Sequence, residues 1–142
     1  MIIAVVLLRE DGACLLQHRD DRPGLSAAGL WVFPGGHREK NETSLACALR
    51  ELTEETAYHA ETLFPLMSFM DDFPDPTSKG PMEIFYGWYD GFQPVRCLEG
   101  QDCRFVRRQE ANGLRLPSYQ YPIWDFALLK TPRPTAITSC RP

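Results

Sequence analysis

Glu51, Glu54 and Glu55 stand at positions i, i+3 and i+4 of the stretch from Ser44 to Ala57. That spacing constrains this chain more than any other feature. In a helix turning by about 100° per residue, three such side chains share one face within an arc of about 100°. Leu45, Leu49, Leu52 and Thr56 recur at helical spacing and define the expected buried stripe, with Thr43 or Ser44 as N-cap. Three like charges so close destabilise an isolated helix, and Arg50 can offset only part of that charge. Taken alone, such a triplet is usually a solvated acidic face. The alternative is a divalent cation, because Mg²⁺ takes hard carboxylate oxygens and shares its shell with substrate phosphates.

The flanking segments set the layers in which this helix must pack. Ile2–Arg9 and Ala13–His18 are apolar and β-prone, and Glu10-Asp11-Gly12 between them reads as a hairpin turn. Asp20 to Gly29 is a polar loop, and Leu30–Phe33 a short strand stopped by Pro34-Gly35-Gly36. Ala60–Asp72 and Met82–Asp90 read as two more strands, joined by a turn-rich loop from Phe73 to Pro81. Arg104–Val106 is a further strand and Pro122–Lys130 a second helix entered at a proline. The pattern predicts an α+β fold, a mixed α/β/α sandwich on a mixed β-sheet. Residues 1–131 are expected to form a single domain, and the proline-containing stretch 132–142 a flexible C-terminal tail.

Composition removes several classes of function. The chain has 142 residues, enough for one core without staples, and a net charge of −4. An acidic balance argues against duplex nucleic acid and anionic membranes as partners, although bound cations can reverse the sign of an acidic site. The five cysteines, Cys14, Cys47, Cys97, Cys103 and Cys140, contain no CxxC pair. Reduced thiols and a cytoplasmic location are therefore expected. Ile2 to Leu8 is too short to span a bilayer, and no basic region precedes it.

Read forward from Gly36, five residues lead to Glu42, and seven more to Arg50-Glu51-Leu52; one more gives Glu54-Glu55, then Thr56-Ala57-Tyr58. This resembles the Nudix box, G-x5-E-x7-R-E-U-x-E-E-x-G-U, where U is a bulky apolar residue. Six spaced positions of this kind coincide by chance with odds on the order of 10⁻⁷ per start point. Trp31-Val32-Phe33-Pro34-Gly35 also resembles the family's usual approach to the box. The chain departs from the pattern in two places. Ala57 stands where the family prefers Gly, which implies a modest cost or a different helix exit. Tyr58 fills the last apolar position.

The resemblance implies a loop-helix-loop around the box and metal binding by Glu51, Glu54 and Glu55, with the carbonyl of Gly35. The cofactor implied is Mg²⁺, with Mn²⁺ as a substitute. Arg50 would orient a glutamate, Glu42 would support the loop, and Glu51 would take the proton of the attacking water. Beyond the box the likeness to the mutator (MutT-type) branch continues more thinly. It makes Glu99 a candidate metal ligand, Arg19 a candidate phosphate contact and Phe33 a candidate stacking partner for a base. Gln120 stands where that branch has an asparagine that reads the purine edge. The bland alternatives are a loop glutamate, a strand-end arginine and a core phenylalanine. His18, His37 and His59 show no ligand spacing.

The reaction implied is Mg²⁺-dependent hydrolysis of a pyrophosphate bond in a nucleoside diphosphate derivative, first a (d)NTP giving (d)NMP and pyrophosphate. Next come another diphosphate (nucleotide sugar, dinucleotide or capped RNA end) and a non-catalytic nucleotide-sensing Nudix module. The partner implied is a small-molecule nucleotide, bound by a monomer or homodimer.

Overall fold

β1 (Ile2–Leu8) is apolar on both faces, and a strand of that kind belongs at the centre of a covered sheet. In the computed structural model, which describes residues 1–70 and 80–130, it does so. Ile3, Val5 and Leu7 enter one core; Ala4, Val6 and Leu8 enter the other. Each of the Ile, Val and Leu side chains contributes roughly 1.5–3 kcal/mol when fully buried, which fixes the register of the strand. Around β1 lie β2 (Cys14–His18), β3 (Trp31–Val32), β4 (Gly35–His37), β5 (Phe64–Phe69), β6 (Met82–Trp88) and β7 (Asp102–Val106). The sheet is mixed, in the order β3-β2-β1-β6-β5. β1 runs parallel to β6, and the other pairings are antiparallel.

Helix α1 (Ser44–Thr56) covers the face carrying Ile3, Val5 and Leu7, through Cys47, Ala48 and Leu52. Helix α2 (Gln120–Lys130) covers the opposite face through Ile123, Trp124 and Ala127. The α/β/α sandwich expected from the sequence is thus the fold observed. Thr43 is the N-cap, its hydroxyl accepting from the Ala46 N–H at 3.0 Å.

Four expectations need correction. Gly35 and Gly36 do not end a strand; they form one. β4 pairs with the start of β1, and a Cβ on Gly35 would lie 2.0 Å from the Ile3 carbonyl oxygen, so only glycine permits the approach. The buried stripe of α1 is also rotated from the expected one. Leu45 is 37% exposed, whereas Glu55 is 5% exposed and shares the buried side with Cys47, Ala48, Leu52 and Thr56. Helical periodicity identifies the leucines, but the sheet decides which side it covers. α2 begins at Gln120, ahead of Pro122, because a proline in the first turn lacks only an N–H that has no helical partner there. β5 is shorter than Ala60–Asp72, and most of the expected loop 73–81 lies outside the described residues, as does the tail 132–142.

β1 keeps β6 along its whole length. On its other edge it meets β4 at Ile2–Ala4 and β2 only at Leu8 opposite Cys14. The sheet therefore splays between β4 and β2, and the splay opens a cleft.

Candidate active site

The cleft is about 460 Å³ and is lined, among others, by Arg19, Phe33, Gly35, Glu51, Glu55, Glu99 and Gln120. Elements and loops from along the whole fold meet there. β1 and β4 supply the floor, α1 two glutamates, and the loop before β7 the third.

Glu55 is the buried member. Its Oε1 accepts from Gly35 N–H at 3.4 Å and from Gln17 Nε2 at 3.1 Å. Burial pushes its carboxyl up, to about 9, and the charges of Glu99 and Glu51 push the same way. Glu51 is packed against Gly36, where a Cβ would approach its carboxylate to 2.6 Å. The glycine that opens the box is thus a matter of space for this glutamate.

Arg50 organises the outer side of the site. Its Nε and Nη2 donate to the two oxygens of Glu42 at 2.6 and 3.0 Å, and its Nη1 donates to Glu51 at 2.9 Å and Glu54 at 3.2 Å. The guanidinium holds the Glu42 carboxyl down at about 2, and the Arg50 pKa is itself raised by the same pair. Glu54 is 58% exposed at its side chain and does not line the cleft.

Glu99 arrives by tertiary contacts alone. The carbonyls of Glu55 and Thr56 at the end of α1 accept from the N–H groups of Leu98 and Arg96 at 3.0 and 2.9 Å, satisfying a helix C-terminus and fastening this loop to it. Gly100, at φ 86°, passes so close to β2 that a Cβ would lie 2.6 Å from the His18 carbonyl oxygen. The Gln101 N–H then donates to that same oxygen at 2.7 Å.

The remaining expected residues divide. Arg19 lines the cleft, with its Nε donating to the Ser26 carbonyl at 2.8 Å. Phe33 reaches the cleft but is 5% exposed and packs in the core under α2. Gln120 is 1% exposed; its Oε1 accepts from the Phe33 N–H at 3.0 Å and its Nε2 donates to the Trp31 carbonyl at 3.2 Å. Its amide here holds the backbone of β3 and of the residue after it. His18 stacks on Trp31 at 4.6 Å between ring centroids, a structural contact. The four described cysteines are free thiols.

Gln17 belongs to the site and was not singled out by sequence. It is 2% exposed, on the α1 side of β2, and its Nε2 lies within hydrogen-bond distance of both Glu55 and Glu99. The available signal was the alternation in Cys14-Leu-Leu-Gln-His18, which puts an amide beside Leu15 on an apolar face.

The donor set suits a hard divalent cation, since Glu51, Glu55 and Glu99 present only oxygens. Among the described residues neither Glu55 nor Glu99 has a Lys, Arg or His at ion-pair distance. Nor do three acidic, His or Cys side chains converge tightly enough to hold an ion as they stand. Arg50 pairs with Glu51 and Glu54, so binding requires them to share their oxygens between Arg50 and the cation.

A NUDIX domain model matches residues 1–123. A curated Bacillus subtilis (strain 168) protein, provisionally named an 8-oxo-dGTP diphosphatase, is 32% identical over 91 residues, which are 64% of this chain. The chain spans about half the length of that relative, 54%. A MutT protein from Methanosarcina mazei Go1 superposes with a TM-score of 0.72 at 21% identity, covering 92% of this chain and 94% of its own. The NUDIX domain of Shewanella oneidensis NrtR, solved with ADP ribose, gives 0.76 at 19%, covering 91% and 86%. At these identities the two structures show a shared fold.

Proposed function

Because this chain belongs to the Nudix family, we propose that it hydrolyses a pyrophosphate linkage in a nucleoside diphosphate derivative, first a (d)NTP to (d)NMP and pyrophosphate. The observation that carries this reading is the convergence of Glu51, Glu55 and Glu99 with Arg19 in one cleft. Mg²⁺, or Mn²⁺ in its place, would be held by Glu51, Glu54, Glu55, Glu99 and the Gly35 carbonyl. When bound it neutralises charge developing on the phosphoryl oxygens and acidifies a water. Arg19 would contact a phosphate at the strand end, and Phe33 would stack on the base.

Glu51 is the residue assigned to accept the water's proton. Arg50 donates to its carboxylate at 2.9 Å, which keeps it oriented. Glu55, by contrast, retains its own proton near neutrality for as long as no cation faces it. The commitment of the Gln120 amide to backbone supports a second substrate reading, in which the diphosphate belongs to a nucleotide sugar, a dinucleotide or a capped RNA end. A cytoplasmic setting goes with either reading; free thiols support it. Among the described residues no helix is long and apolar enough to cross a membrane.

The test is a panel of nucleotides incubated with purified protein and Mg²⁺, reading phosphate and pyrophosphate. Glu54→Gln and Glu55→Gln should each lower kcat at least about 10²-fold, the loss expected when several kcal/mol of charge stabilisation disappears. Near wild-type turnover in either variant at saturating Mg²⁺ would show that its metal assignment is wrong.

A further inference from the structure

Gln17 joins two acidic side chains of the cleft. Its single Nε2 lies 3.1 Å from Glu55 Oε1, 3.2 Å from Glu99 Oε2 and 3.3 Å from the Glu99 carbonyl oxygen. These two glutamates come from elements far apart in the chain, the end of α1 and the loop before β7. The amide itself sits on β2, whose neighbours on either side at this position are Val32 of β3 and Cys103 of β7. With the side chain 2% exposed, water has little access to replace these contacts.

We propose that Gln17 is a positioning residue for the cation site, one that selects which oxygen of Glu55 and of Glu99 is offered to the ion. The inference rests on the Mg²⁺-dependent reading above. An amide N–H₂ has two protons to donate and no charge. It can therefore hold Glu55 Oε1 and Glu99 Oε2 near one another while leaving the pair's net negative charge intact. An arginine or lysine here would hold them equally well but would neutralise the charge that attracts a cation. Glu55 Oε1 also accepts from Gly35 N–H. The oxygen left without these donors is Oε2, and by the same reasoning Oε1 of Glu99. Groups that orient ligands in this way commonly set metal affinity 10- to 100-fold, as the general behaviour of outer partners shows.

The experiment measures Mn²⁺ binding to nucleotide-free protein by the loss of the free-ion electron paramagnetic resonance signal. Wild type, Glu55→Gln, Gln17→Met and Gln17→Leu are compared, each checked for its folded circular dichroism spectrum. Methionine keeps the length and leucine keeps apolar packing with a different shape, so a failure of one to fold leaves the other to be read. The expected result is a Kd raised about 10- to 100-fold in the folded Gln17 variant. Turnover at saturating Mg²⁺ should fall less than affinity does, since the ligands themselves remain. A folded Gln17 variant that binds Mn²⁺ within about twofold of wild type, while Glu55→Gln binds weakly, overturns the role of Gln17. Equal binding by wild type and Glu55→Gln instead overturns the metal reading beneath it. If neither Gln17 variant folds, the amide is a structural element of the core and the proposal is likewise overturned.

Discussion

Arg50 grips Glu42 through both carboxylate oxygens, at 2.6 and 3.0 Å, and so ties the loop that enters α1 to the middle of the helix. The same guanidinium has donors left for Glu51 and Glu54. Lysine carries the same charge but has no planar fork, so it cannot keep Glu42 bidentate and Glu51 oriented together. Arg50→Lys should lower kcat about 10²-fold, the scale of a displacement near 1 Å at a reacting group, while the fold remains intact. Steady-state kinetics with saturating Mg²⁺ test this. Unchanged kcat would mean that Glu51 is held by its packing against Gly36 alone.

Glu55 links stability, pH and the cation. Its folded pKa lies above the ordinary carboxylate value, so the native state binds this proton more tightly than the unfolded chain does. Its contribution to stability is therefore fully present below the unfolded pKa and is lost as pH rises toward about 9. In EDTA, Tm should be lower at about pH 8.5 than at about pH 6 through this group, and Glu55→Gln should flatten the difference. Added Mg²⁺ should raise Tm more at the higher pH, because the ion no longer competes with the proton. Thermal melts in the two buffers decide it; a larger Mg²⁺ effect at the lower pH contradicts the assignment.

Ala57 ends α1 in the left-handed conformation, at φ 65° and ψ 2°, with its N–H donating to the Thr53 carbonyl at 2.9 Å. The departure from the family's glycine thus keeps the same helix exit and bears the strain of a Cβ there. That strain costs about 1–2 kcal/mol. A glycine returns about 0.4–1 kcal/mol of it through a freer unfolded chain. Ala57→Gly should stabilise the protein by about 0.5–1 kcal/mol, or about 2–4 °C in Tm. A calorimetric scan showing a lower Tm would mean that the Ala57 methyl makes packing contacts worth more than the strain.

Gln120 carries stability here. Gln120→Leu leaves the buried Phe33 N–H and Trp31 C=O without their side-chain partner and should cost about 1–3 kcal/mol. With that amide committed to backbone, kcat/KM for 8-oxo-dGTP, dGTP, dATP, dCTP and dTTP in the wild type should lie within about two decades, the spread that such energies allow. Denaturant melts and the nucleotide panel measure the two quantities separately. A wild-type preference for 8-oxo-dGTP above about 10⁴ would show that another group reads the base.

Legibility in the sequence followed the range of the interaction. Helix α1, its Thr43 cap and the shared face of its glutamates rest on contacts within a turn or two, and 3.6-residue periodicity exposes these directly. The turn at Asp11-Gly12 is equally local; Gly12 adopts φ 88° as such a turn requires. The unbroken apolar run of β1 shows that both its faces are buried, and from this the two layers follow.

The sequence by itself therefore determined the elements, the acidic helix face and the likeness of 36–58 to a Nudix box. Tertiary structure decided which carboxylates share a cleft. Glu99 reaches Glu55 because the end of α1 needs partners for its carbonyls, and Gln17 reaches both because β2 lies beneath them. It also turned Gly35 and Gly36 from an apparent stop into strand β4, by bringing the Ile3 carbonyl where no Cβ fits. It buried Glu55 while leaving Glu54 exposed, although one position separates them. Each of these outcomes depends on a surface supplied by residues distant in the chain. Burial, close approach and shared charge are properties of such pairs, and neither member's local sequence encodes them.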